Sequence, residues 1–274
     1  MARAFVRTLQ ALVLAAAVAA GAVSAATPAS VIERLNAQRT QNGLPALVEN
    51  TRWSAACAAH VDYLRRTHDF THVETKGRPG YTKDGAWAAV NSVLALGKTW
   101  ARGNPWENGP THLMQVLAPQ LRSTGVYDGN GYSCAITWPG YRVGTKNTLY
   151  SYPGDGTSGW RTAETAREGP YTAGEAVGLP QGTRTGLILL VFADGPWARS
   201  RKMHITSAEL IGPRGPVEVR TADNRSPRVG PYMTASGVVI PVKPLQRGAS
   251  YHASVKITGS GVTLTRGWSF TTAR

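Results

Sequence analysis

The stretch from Asn50 to Arg66, NTRWSAACAAHVDYLRR, decides how the first half of the chain is read. Trp53, Cys57, His60 and Leu64 recur at steps of four, three and four, which gathers them on one face of a helix. That face is apolar apart from His60, so the imidazole points inward; taken alone, it reads equally as a satisfied core histidine. Working outward, Ser30 with Glu33 makes a capping box ahead of Val31, Ile32 and Leu35, and Gly43 stops that helix. An alanine-rich helix is predicted from Thr82 to about Leu94. A fourth opens at Pro110, which suits a first helical position, and carries Leu113, Met114 and Leu117.

Beyond Leu117 the period changes from helical to alternating. Asp128-Gly129-Asn130-Gly131 is a turn, followed by predicted strands at Tyr132–Trp138 and Thr148–Tyr152. Pro153-Gly154-Asp155-Gly156 breaks the chain. The remainder reads as short strands separated by Gly and Pro: Leu187–Phe192, His204–Ile211, Val217–Thr221, Val238–Val242, Tyr251–Ile257 and Leu264–Thr271. Strands at that spacing predict a β-sandwich.

The N-terminus reads as an export signal. Arg3 and Arg7 precede a run from Leu9 to Ala20 that is apolar except for Gln10, and small residues follow to Ala26. The run is shorter than the roughly 20 residues of a spanning helix, no later stretch could span a bilayer, and no cysteine lies near the cleavage site. About 248 of the 274 residues remain after residues 1–26, comfortable for two domains. The expected location is extracellular or periplasmic. The two cysteines, Cys57 and Cys134, then suggest one disulfide, with a buried free thiol as the alternative for Cys57.

Both halves are basic. Lys and Arg outnumber Asp and Glu by 13 to 9 over residues 27–156 and by 15 to 7 over residues 157–274. Such a field favours anionic neighbours, among them envelope polymers. The densest run, Arg199-Ser200-Arg201-Lys202, is too short for a nucleic-acid stripe, so no nucleic-acid partner is expected.

Four of the six histidines, His60, His68, His72 and His112, lie early. His112 is the third residue of its helix, where the dipole disfavours imidazolium and leaves a neutral ring able to bind a metal. His68 and His72 are four apart, but Asp69 stands where a zinc protease has Glu. Gly131-Tyr132-Ser133-Cys134-Ala135 matches a nucleophile elbow in two positions only and has no helix behind it. No phosphate loop or dinucleotide fingerprint is present.

The order of segments resembles the bacterial CAP family, relatives of plant pathogenesis-related protein 1, cysteine-rich secretory proteins and insect venom antigens. The likeness rests on Leu35-Asn36-Ala37-Gln38-Arg39, Asn42-Gly43-Leu44-Pro45-Ala46-Leu47, the helix with His60, Phe70-Thr71-His72, Pro110-Thr111-His112 and Ser123-Thr124-Gly125-Val126. Leu245 to Tyr251 and Trp268-Ser269-Phe270-Thr271-Thr272 are similar to bacterial immunoglobulin-like modules. The resemblance implies an α+β chain: a three-layer α-β-α CAP sandwich over residues 28–155, then an all-β immunoglobulin-like sandwich over residues 157–274. It also implies a cleft with two histidines and two acidic residues. His72 and His112 match the histidines and would be the ligands of a zinc or other divalent ion. The family's Gly-Glu-Asn segment has no counterpart, because Thr82-Lys83-Asp84-Gly85 occupies that stretch. Glu74 and Glu107 are therefore the acidic candidates, and His60 supplements the cluster.

Two functions follow from the resemblance. One is a secreted, non-catalytic binder of a lipid or other small ligand in the cleft formed by His60, His72, Glu74, Glu107 and His112. The other is a zinc-dependent hydrolase or protease in which Glu74 or Glu107 activates water. A purely structural protein, with binding left to the β-sandwich, is the third reading.

Overall fold

The computed structural model describes residues 27–107, 109–164 and 171–274. The expected export signal, residues 1–26, lies outside them. From its N-terminus the described chain runs α1 (Pro28–Gln41), β1 (Val48–Glu49), α2 (Thr51–Thr67), α3 (Lys83–Asn91), β2 (Ser92–Leu96), α4 (Pro110–Leu117), β3 (Ser123–Thr124), β4 (Val126–Gly129) and β5 (Tyr132–Ile136).

The start of α1 falls earlier than the capping-box reading placed it. Thr27 is the cap, its Oγ1 accepting from the Ser30 amide at 3.4 Å, and Pro28 takes the first helical position. The fixed φ of proline and its missing N–H suit that position, so the helix begins ahead of Ser30. Asn50 caps α2 by accepting from the Trp53 amide at 3.2 Å, and Cys57, His60 and Leu64 are buried as the spacing predicts. The predicted third helix stops at Asn91 instead of Leu94. Val93, Leu94, Ala95 and Leu96 are drawn into β2 by pairing with β5, a tertiary preference that overrides local propensity.

Strands β2, β5 and β4 form a sheet in that order, and β4 turns into β5 through Asn130 and Gly131, both with positive φ. Leu94, Cys134 and Ile136 pack with Cys57, Val61 and Leu64 of α2 and Ala88 of α3. On the other face Val93, Ala95, Val126 and Ala135 pack with Leu35 of α1 and Leu113 and Leu117 of α4. Helices on both faces of one sheet make the expected three layers. Cys57 and Cys134 are joined by a disulfide that ties α2 to β5, with Cα atoms 5.7 Å apart, which removes the free-thiol alternative. Gly125 allows the tight approach of the β3–β4 connection to α2, since a Cβ there would overlap the Trp53 backbone and the Ser54 amide.

Arg39 of α1 is fully buried and, among the described residues, has no acidic partner. Its guanidinium donates to the carbonyls of Pro45 at 2.8 Å, Val116 at 2.7 Å, Ala118 at 3.1 Å and Leu121 at 3.0 Å. Three of these belong to the C-terminal end of α4 and the turn after it, where the carbonyls lack helical donors and the dipole favours a cation. Burial pushes the pKa of Arg39 down to about 9.

The second half is β-rich: β6 (Thr148–Tyr152), β7 (Thr157–Trp160), α5 (Ala173–Ala176), β8 (Leu189–Asp194), β9 (His204–Gly212), β10 (Gly215–Pro216), β11 (Val219–Asp223), β12 (Ser236–Pro241), β13 (Ser250–Gly259) and β14 (Val262–Thr272). A four-stranded sheet has the order β11-β12-β8-β6, and a five-stranded sheet the order β10-β9-β13-β14-β7. In these two sheets, among the described residues, only β7 is parallel to its neighbour, β14.

The four-stranded sheet is apolar on both faces, unusual for antiparallel strands. The run at β8 explains it: Leu187, Leu189, Val191 and Ala193 join the core against the five-stranded sheet. Ile188, Leu190 and Phe192 alternate with them and join the core that contains α1 and α4. Val239 and its neighbours Val238 and Ile240 divide in the same way. Strand β6, which precedes the Pro153–Gly156 break, pairs with β8 and so belongs to a sheet of the second half. The halves are further joined by Arg122 and Asp194 at 2.7 Å and by the Ser236 hydroxyl and Met114 Sδ at 3.5 Å.

Candidate functional site

A cavity of about 650 Å³ lies between β2 and the N-terminal end of α4. Phe70, Leu94, Trp106 and Tyr232 supply apolar and aromatic wall, and His72 and His112 line it together. Tyr232 comes from the second half, and its carbonyl accepts from Gln115 Nε2 at 3.4 Å. Trp106 is fixed by its indole N–H donating to the Leu94 carbonyl at 3.0 Å. Phe70 and Tyr232 are 49% and 43% exposed, as are Leu96 at 53% and Val90 at 60%, so the mouth of the cavity is an apolar rim.

His72 follows α2, and α4 presents His112 from its first turn. Their rings stack with centroids 6.4 Å apart and planes 13° from parallel. Nδ1 of His72 donates to the Ala89 carbonyl at 2.9 Å. That bond leaves Nε2 as the lone-pair nitrogen of the neutral ring. Although His72 is exposed, partial burial lowers its pKa; the Ala89 carbonyl opposes this, and the neighbouring His112 and His60 lower it further. The ring is held toward its neutral form.

His60 and Glu74 lie behind the cavity wall and do not line it. His60 Nδ1 is 2.9 Å from Glu74 Oε1, with both side chains fully buried. His60 Nε2 donates to the Thr71 carbonyl at 3.1 Å, and the Thr82 amide donates to Glu74 Oε2 at 3.1 Å. Both ring nitrogens of His60 face oxygen atoms, Glu74 Oε1 and the Thr71 carbonyl. Gly85 is required here, since a Cβ would overlap Glu74 Oε1. The Thr82–Gly85 segment thus encloses Glu74, while Asp84 turns outward to Arg52 at 3.9 Å.

Glu107 is directed elsewhere. It lines a separate cavity of about 870 Å³, bound by Arg161 Nη1 at 2.7 Å, by Gln38 Nε2 at 2.5 Å and by the Tyr152 hydroxyl. Of the five residues assigned to one cleft, the fold brings together His72 and His112, pairs His60 with Glu74, and sets Glu107 apart. Among the described residues, no group of three or more His, Cys, Asp and Glu side chains could hold a metal ion. Two imidazoles alone do not fit the three protein ligands of a catalytic zinc.

Tyr232, Leu94 and Trp106 had no signal as site residues. Tyr232 is distant in sequence from both histidines, and Leu94 was assigned to a helix. Among the described residues, no helix is long and apolar enough to cross a membrane.

No curated protein matches the chain. Residues 32–137 match the CAP model, described as the cysteine-rich secretory protein family, and the limits of that match fall on α1 and just beyond β5. With its helices on both faces of the β2-β5-β4 sheet and its paired histidines, the segment from 32 to 137 is similar to the cysteine-rich secretory protein family.

Proposed function

We propose that the chain is an exported CAP-domain protein whose histidine cavity binds a lipid or similar apolar small ligand without chemical turnover. The observation that carries this reading is the cavity's lining. An aromatic and aliphatic wall surrounds two stacked imidazoles, while the nearby carboxylates are bound elsewhere. Such a site offers area and two polar anchoring points, the usual build of a small-ligand pocket. The Cys57–Cys134 disulfide supports an oxidising, extracellular or periplasmic location. Two facing, largely antiparallel sheets support reading the second half as an immunoglobulin-like module that presents the CAP domain near an envelope.

The test is displacement of a fluorescent fatty acid from residues 27–274 by fatty acids and sterols, beside Leu96→Asp. Saturable binding that weakens at least about tenfold in the variant is expected, since a charge on the apolar rim must be desolvated. Absence of saturable binding, or binding indifferent to Leu96→Asp, overturns the reading.

The hydrolase reading would hold zinc on His72 and His112, but Glu74 and Glu107, the carboxylates it would use, are bound by His60 and Arg161. Calorimetric zinc titration separates the two. Tight binding of one ion per chain, lost in both His72→Ala and His112→Ala, would favour the hydrolase.

A further inference from the structure

The larger cavity, about 870 Å³, lies where α1, the 97–107 loop and β7 meet. Its wall is therefore built by both halves of the chain, and it shares only Lys98 and Pro105 with the histidine pocket. Among the described residues, four cationic side chains line it, Arg34, Lys98, Arg102 and Arg161, against one acidic side chain, Glu107. Arg161 is already neutralised: it binds Glu107 at 2.7 Å and Glu164 at 2.7 Å. Among the described residues, Arg34, Lys98 and Arg102 make no ion pair. These three are exposed, and Arg34 is oriented across the cavity by donating to the Trp100 carbonyl at 2.6 Å.

The remaining wall says which anion fits. Gln41 and Ser158 are exposed there and offer donors and acceptors suited to hydroxyl groups. Trp160 is half-buried, braced edge-on by Tyr152 with ring centroids 4.9 Å apart, and its indole N–H is taken by Thr157 Oγ1 at 2.8 Å. Its accessible surface is a rigid apolar platform for the C–H face of a sugar. The other aromatic residue, Trp100, is only 2% exposed and adds no second platform. Charge, amide, hydroxyl and one aromatic platform together suit a carbohydrate bearing negative groups.

We propose that this cavity binds an anionic saccharide chain, with Arg34, Lys98 and Arg102 pairing with its carboxylate or sulfate groups and Trp160 supporting a sugar ring. The site deepens the expectation of an anionic envelope polymer, and its test uses no lipid, so its failure and that of the lipid reading are distinguishable.

The experiment is calorimetric titration of residues 27–274 with a galacturonate hexamer, its methyl ester, a sulfated hexasaccharide and a single-stranded DNA of equal charge. The expected result is binding of the uronate or the sulfated sugar, with the methyl ester weaker; which of the two binds identifies the anionic group. Arg34→Glu/Arg102→Glu is expected to weaken that binding by at least about tenfold, the loss of one or two charge-assisted hydrogen bonds. The control Arg220→Glu/Lys256→Glu, on exposed sheet positions away from the cavity, carries the same change in charge and leaves it intact. Equal loss in both variants, equal binding of the ester, DNA binding as tight as the sugar, or no binding of either anionic saccharide overturns the proposal.

Discussion

The carboxylate of Glu74 lies 2.9 Å from Nδ1 of His60, and the pair is sealed behind the wall on which His72 stands. Glu74 also accepts from the Thr82 amide, so both of its oxygens are engaged before any ligand arrives. The arrangement is that of a brace between α2 and the start of α3.

Replacing Glu74 by Gln should therefore act on stability. The substitution leaves the His60 proton facing an amide in a buried place, a loss of roughly 1–3 kcal/mol. Urea unfolding should show this loss while fatty-acid affinity stays unchanged. A variant of full stability that no longer binds ligand would place Glu74 in the pocket chemistry instead.

Deleting residues 157–274 should abolish cooperative folding and not release an independently folded first half. It strips β8 from β6 and uncovers the surface against which Ile188, Leu190, Phe192, Val238 and Ile240 are packed, all fully buried. At about 1.5–3 kcal/mol each, these side chains amount to the whole stability of an ordinary domain. Thermal unfolding followed by circular dichroism checks it. A sharp transition for residues 27–156 near that of the full chain would show that the halves are separable.

Alkaline pH should expose Tyr152. Its phenol is fully buried and beside Glu107, and burial, then the neighbouring carboxylate, hold its pKa well above the usual value. In the unfolded chain the phenol ionises near pH 10, so above that pH the folded state binds more protons and stability falls as pH rises, by about 1.4 kcal/mol per unit. Tyr152→Phe should be less stable near neutrality, having lost its bond to Glu107, yet show a shallower decline above about pH 10. Denaturant midpoints on either side of that pH measure the difference; parallel curves for the two proteins would contradict it.

The disulfide should contribute strongly because Cys57 and Cys134 are 77 residues apart. Loop-closure entropy alone gives about 4.5 kcal/mol for a span of that order. Cys57→Ala/Cys134→Ala should unfold at correspondingly lower denaturant concentration, and reductant should lower the parent protein to a similar midpoint.

What could be read from residues alone was what neighbours in sequence determine. Asn50–Arg66 announced a helix through its own spacing, and Pro110 announced another. Val93–Leu96 did not, because alanine before it favours helix and only β5, about 40 residues later, makes it a strand. Leu187–Phe192 was legible as a strand, but nothing in it says that two different cores claim alternate residues. His72 and His112 were found as members of a pattern, and their 6.4 Å stacking is consistent with it. Glu107 is acidic at a suggestive distance in sequence from His112, yet its direction is set by Arg161, a partner 54 residues away. Tyr232 had no local signature of any kind.

Arg39 has a consequence for the pocket it never touches. Helix α4 has only eight residues, about 12 Å from end to end, and carries His112 in its first turn. The guanidinium of Arg39 grips the carbonyls at the opposite end of that rod. A short rigid rod clamped at its tail has a fixed tip, so the height and tilt of the His112 imidazole are gauged from α1. Whatever ligand the histidines meet, the calibration of their spacing resides in a residue on another helix.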